Sequence, residues 1–140
     1  MYPDDLHIEP TRRTPWVVLD STRIFIMGRS IVENPGQFYE LVHRRVSEHV
    51  KKSGEKIKVE MGFDYINTGS VKWLYILLKE LSETYDLSGK VSVVWYYEEG
   101  DEDMHELGRI IKSLLDCPFR MVQVEYMNDD LYSRLLSKSR

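Results

Sequence analysis

The sequence predicts one α/β domain over residues 1–140, built on a mostly parallel, mixed central sheet that opens with an N-terminal β-hairpin. Three observations predict it. Short apolar stretches have the continuous or alternating character of strands, and the stretches between them carry apolar residues at helical spacing. The resulting order is β-β-α-β-α-β-α-β-α, and strand–helix alternation of this kind builds parallel sheets. A chain of 140 residues without an internal repeat or linker is one domain, long enough to bury a sizeable core.

Each element has its own signal. Trp16-Val17-Val18-Leu19 and Ile24-Phe25-Ile26-Met27 flank the polar turn Asp20-Ser21-Thr22 and read as a hairpin. Leu6 and Ile8 either form a short strand or lean on the core. Gly28 to Asn34 is a connection. Asn34-Pro35 then starts a helix, with Asn as cap and Pro at the first helical position. Phe38, Leu41, Val42, Val46 and Val50 form its apolar face, and Ser53-Gly54 ends it. Ile57, Val59, Met61 and Phe63 alternate with Lys58, Glu60 and Gly62, which predicts a strand with one face more buried than the other. Val71, Leu74, Leu77, Leu78, Leu81 and Tyr85 form the next helical stripe, and Leu87-Ser88-Gly89 turns the chain.

Val91 to Tyr96 is nearly continuous in β formers, as in a central strand covered on both faces. The acidic run Glu98 to Asp103 precedes a helix that starts near Asp101, where negative charge meets the positive end of the helix dipole. Met104, Leu107, Gly108, Ile111, Leu114 and Leu115 make its buried stripe. Pro118 stops it. Phe119 to Tyr126 reads as a last strand, and Asn128-Asp129 caps a closing helix with Leu131, Leu135 and Leu136 on one face. The tail from Ser137 is expected to fray.

Composition excludes several classes. A hydrophobic share of 42%, a charged share of 30% and nine Tyr, three Trp and four Phe describe a globular chain rather than a disordered one. The net charge of -4 comes without a clustered basic face, which argues against nucleic acid as a partner. The single cysteine, Cys117, supports neither an intrachain disulfide nor a zinc site. It fits a reducing compartment and a packing role at a helix end. The N-terminus lacks the apolar core of a signal peptide, and no apolar run reaches the length of a membrane span. A cytoplasmic protein without a membrane partner is expected.

With parallel strands, the connections Gly28–Asn34, Tyr65–Ser70 and Tyr97–Asp101 gather at the carboxyl edge of the sheet, where open α/β folds place ligands. Arg29, Asn67-Thr68-Gly69-Ser70 and the acidic loop with Glu98, Glu99 and Asp101 are therefore candidate neighbours. The joint is neither a P-loop nor a Gly-x-Ser-x-Gly elbow, and no His lies beside it in sequence. Catalysis by Thr68 is weakly supported. Two readings remain from the residues alone. Asn67, Thr68 and Ser70 cap a helix, or Thr68 accepts a phosphoryl group that meets helix-terminal amides.

The acidic loop offers hard oxygen ligands, but without EF-hand spacing. A small metal-dependent hydrolase or ligand-binding enzyme using Glu98–Asp103 is the alternative from another class, and a plain interaction module with a Tyr-rich surface is a third. His7, His43, His49 and His105 show no ligand pair. Trp95-Tyr96-Tyr97 is read as the end of a buried strand rather than a stacking platform.

Four stretches carry a family resemblance: Thr14-Pro15; Gly28-Arg29-Ser30-Ile31-Val32-Glu33-Asn34 with Phe38-Tyr39; Tyr65-Ile66-Asn67-Thr68-Gly69-Ser70-Val71-Lys72; and Trp95 to Met104. They resemble SiaC-type regulatory phosphoproteins. The resemblance implies a fold similar to STAS-like anti-sigma-factor antagonist domains and a non-enzymatic role without cofactor or metal. It implies Thr68 as the acceptor of a phosphate placed by a Ser/Thr kinase and removed by a PP2C-type phosphatase. It also implies a diguanylate cyclase as the output partner of the unphosphorylated form, linking the chain to cyclic-di-GMP signalling and biofilm formation. Asn67 and Ser70 would shape the helix start, Arg29 would contact the phosphate, and the acidic loop would tune access. The chain departs from the family's Asn-Thr-Ser-Ser joint at Gly69.

Overall fold

The computed structural model describes residues 5–52, 56–85 and 90–138. The strands are β1 (Leu6–Ile8), β2 (Trp16–Asp20), β3 (Arg23–Ser30), β4 (Ile57–Ile66), β5 (Val91–Glu98) and β6 (Phe119–Val124). The helices are α1 (Pro35–Lys52), α2 (Thr68–Glu80), which runs on into a π-helical turn at Leu81–Tyr85, α3 (Glu102–Leu114) and α4 (Asp129–Lys138). The six strands form one sheet in chain order. β1, β2 and β3 pair antiparallel, and β3 to β6 pair parallel.

The expected mixed sheet and hairpin are present, with Leu6–Ile8 added as a third antiparallel strand. The hairpin closes where the Thr22 amide donates to Asp20 Oδ1 at 3.2 Å, an Asx turn of the kind a short polar loop favours. The Ser53-Gly54 stop and the Leu87-Ser88-Gly89 turn lie outside the described residues.

Parallel neighbours in chain order need right-handed crossovers, which send successive helices to the same face. α1, α2 and α3 accordingly cover one face, over Val17, Leu19, Ile24, Ile26, Val59, Met61, Phe63, Val93 and Trp95. α4 covers the other, over Val18, Phe25, Met27, Val94 and Tyr96.

This second layer overturns the expectation that Glu60 and Gly62 belong to the less buried face of their strand. Both are buried. A Cβ at Gly62 would sit 2.7 Å from Met127 Cε, so the glycine admits the chain entering α4. Three other expectations fail at the rims. Leu41 and Leu114 are exposed on the outer sides of their helices, and Tyr126 lies beyond β6 and is 63% exposed. Cys117 packs against the main core, as expected.

The layers interlock at Trp95. Its ring is fully buried and its Nε1 donates to the carbonyl of Met104 at 3.1 Å. Gly108 lets α3 approach the ring, since a Cβ there would fall 2.5 Å from Trp95 Cδ1.

Candidate functional site

The joint between β4 and α2 is one residue long and is held by that residue from four sides. Asn67 has extended backbone dihedrals. Its amide donates to the Ser30 carbonyl at 2.8 Å, and its carbonyl accepts from the Val71 amide at 3.0 Å. Its Oδ1 accepts from the Ser70 amide at 3.0 Å, and its Nδ2 donates to the Val32 carbonyl at 3.0 Å. A helix leaves its first amides without intrahelical acceptors, and an Asn cap supplies one. Here the cap also ties α2 to the β3–α1 connection.

Thr68 is the first residue of α2 and is exposed. Tyr65, three residues earlier, is 56% exposed. Ser70 is fully buried and does not belong to the surface of the joint. Its hydroxyl accepts from Ser30 Oγ at 2.8 Å, and Ser30 also bonds Tyr39. Because Ser30 spends its one proton on Ser70, Tyr39 donates to Ser30. Burial pushes the Tyr39 hydroxyl up to about 12, with the bonds to Ser30 and Ser70 opposing, so it keeps its proton and the chain of donors has one direction.

Gly69 packs against Pro35, the first residue of α1. A Cβ at position 69 would lie 2.7 Å from Pro35 Cγ. Its backbone dihedrals are not in the left-handed region. The glycine therefore serves a close contact between two helix starts rather than loop freedom.

Arg29 pairs in register with Tyr65, next to this joint. A register shift between Gly28 and Arg29, with Gly28 at φ 127°, re-aims the end of β3. The guanidinium pairs with Asp64 at 3.2 Å. The two line a cleft of about 420 Å³ with Gly28, Asp129 and Tyr132, on the side of the sheet that α4 covers.

The acidic loop divides its carboxylates between structural tasks. Glu98 Oε1 accepts from the Met127 amide at 2.8 Å and so holds the chain entering α4. Asp101 caps α3, accepting from the Met104 amide at 3.1 Å. Glu99 is exposed, and its amide donates to the Val124 carbonyl. Among the described residues no three His, Cys, Asp or Glu side chains are grouped to hold a metal ion. None of the described helices is long and apolar enough to cross a membrane.

Sequence reasoning missed Ser30, Tyr39 and Pro35. Ser30 and Tyr39 reach Ser70 only through the β3–β4 pairing and the fold-back of α1, and no sequence period records that. An Asn-x-x-Ser joint after a strand does signal the Asn67 cap.

The site is a pinned helix start carrying an exposed threonine, at the carboxyl edge of a small α/β sheet, and the class of protein that shares it is a family of regulatory phosphoproteins. The model of the SiaC family regulatory phosphoproteins matches residues 8–124. The chain belongs to the SiaC family. It is 28% identical over 117 residues to an uncharacterized protein of Pseudomonas aeruginosa (strain UCBPP-PA14), covering 82% of this chain and 91% of that one.

The crystal structure of apo-SiaC from P. aeruginosa matches with a TM-score of 0.76 at 26% identity, over 84% of this chain and 98% of that one. A chain of the complex of diguanylate cyclase SiaD with its activator SiaC, also from P. aeruginosa, matches with a TM-score of 0.79 at 26% identity, over 86% and 100%. The fold is that of SiaC. The likeness to anti-sigma-factor antagonist domains rests on the sequence resemblance alone.

Proposed function

We propose that this chain is a non-catalytic switch whose acceptor is Thr68. A Ser/Thr protein kinase adds the phosphate and a PP2C-type phosphatase removes it. The unphosphorylated form binds and regulates a diguanylate cyclase, as SiaC is the activator of SiaD in its complex. The chain then acts in the cytoplasm, in cyclic-di-GMP signalling and biofilm formation, without cofactor or metal.

The observation that carries this reading is the exposed Thr68 at the first position of a helix whose start Asn67 holds rigid. A phosphate there is favoured by the helix dipole. It adds about -2 charge and three acceptor oxygens beside the exposed Tyr65 ring, enough to break an apolar contact. Glu99 and the other exposed acids of the neighbouring loop reinforce the repulsion of an acidic partner surface. Arg29 reaches a phosphate only by leaving Asp64, an exchange between surface groups worth about 1 kcal/mol or less.

The test is co-expression with the kinase, followed by intact-mass and peptide mapping, and cyclase binding by Thr68→Ala and Thr68→Glu. One phosphate on Thr68, binding by the Ala variant and loss of binding by the Glu variant are expected. A modification that survives Thr68→Ala, or equal binding by both variants, rules the switch out.

A further inference from the structure

We propose that the sheet face under α4 is a receptor for an amphipathic helix, and that α4 is its intramolecular occupant, excluding a partner helix of the same chemistry. The family match ends at Val124, and α4 begins at Asp129. α4 therefore lies outside the residues that the family model matches. The seat is largely apolar: Val18 of β2, Phe25 and Met27 of β3, and Val94 and Tyr96 of β5 meet Met127, Leu131 and Tyr132, with Leu135 and Leu136 at the margin, and β4 between them contributes Glu60 and Gly62. Without α4 those residues form an exposed apolar face, and faces of that kind mark interaction sites.

The fit of α4 is incomplete in its polar parts. The Tyr132 hydroxyl is buried and makes no hydrogen bond among the described residues. Beneath the helix lie three buried charged groups. Arg23 bonds Asp20 at 3.2 Å and the Leu135 carbonyl at 3.3 Å. Glu60 Oε1 has no hydrogen bond and lies 3.9 Å from Arg23. Burying polar groups without full partners costs free energy, so part of the apolar gain is offset. The entry to α4 is short: Glu98 accepts from the Met127 amide, the Met127 side chain is buried in the seat, and Asn128 caps the helix on the Leu131 amide. A helix seated by apolar contacts, offset by unmet polar groups and tied by a short linker, opens without unfolding the sheet.

The partner is defined by what α4 presents to the seat. It is a helix with large apolar residues at the spacing of Leu131, Tyr132, Leu135 and Leu136, preceded by acids at its N-terminus as Asp129 and Asp130 precede them here. A residue that places a donor near Glu60 would improve on α4. The cis helix lowers the apparent affinity for such a partner by the fraction of time the seat is open.

The test uses the full-length chain and a fluorescently labelled peptide of residues 125–140 as the stand-in helix. Leu131→Asp should release α4. The peptide is then expected to bind this variant at least about tenfold tighter than wild type by anisotropy, and adding Val18→Lys to the seat should abolish the binding. Equal binding to wild type and Leu131→Asp, or no binding to a Leu131→Asp chain that keeps its near-ultraviolet dichroism, overturns the proposal. If Leu131→Asp unfolds, native-state hydrogen exchange of wild type decides. Amides of α4 exchanging faster than those of β3 to β5 support a helix that opens alone. Exchange of α4 only with global unfolding overturns it. None of these outcomes depends on Thr68 or on the cyclase.

Discussion

Ser30 donates to Ser70 across 2.8 Å although 40 residues separate them, and both hydroxyls are fully buried. The bond joins the end of β3 to the first turn of α2, directly beneath the exposed Thr68. With Tyr39 behind it, the chain of hydroxyls ties β3, α1 and α2 together at the joint that carries Thr68.

Ser70→Ala removes the acceptor and leaves the Ser30 proton in a buried site. A loss of about 1–3 kcal/mol is expected, measured as a lower urea midpoint at unchanged slope. Ser30→Ala should cost a similar amount, and the double variant less than the sum, because both changes break one bond.

Gly69→Ser brings a Cβ to 2.7 Å from Pro35 Cγ. Overpacking of this kind costs about 1–3 kcal/mol. Pairing it with Pro35→Ala removes the ring and should restore most of the loss. Failure of that rescue would show that the glycine answers to something other than the Pro35 contact.

Glu60 gives a pH dependence with a definite sign. Burial raises its carboxyl above 4.5, against the lowering by Lys58, Arg23 and the Tyr96 hydrogen bond, and Asp20 adds to the rise. The folded state then holds its proton where the unfolded state has lost it, so this group's stabilising contribution is full below the unfolded value and declines as pH rises through the folded one. Relative to wild type, Glu60→Gln should gain stability as pH rises above 4.5. Urea midpoints of both chains across that range check it, and parallel pH profiles would refute the assignment.

The family reading came from motifs that survive translation into structure unaided: Asn67 as a cap, Thr68 at the helix start, Asp101 as the next cap. Caps and strand alternation are local, with donors and acceptors a few residues apart, and a sequence displays them directly. Gly69 was legible only as a departure, because its reason is the ring of Pro35. Ser70 read as a residue that shapes the helix start, and its hydroxyl is a buried acceptor for Ser30. Arg29 read as a neighbour of the joint; its backbone pairs with Tyr65, and its guanidinium pairs with Asp64, a contact only the structure displays.

The sequence by itself determined the alternation of strands and helices, the hairpin, and the helix starts with Thr68 at one of them, since periodicity and capping chemistry act over a few residues. Only the tertiary structure decided which face each helix covers, because that depends on strand order and crossover handedness. It placed α4 on the second face and thereby buried Glu60 and Gly62. It also joined Ser30, Tyr39 and Ser70 into one hydrogen-bonded chain under Thr68, a contact among residues that meet only once the sheet has formed.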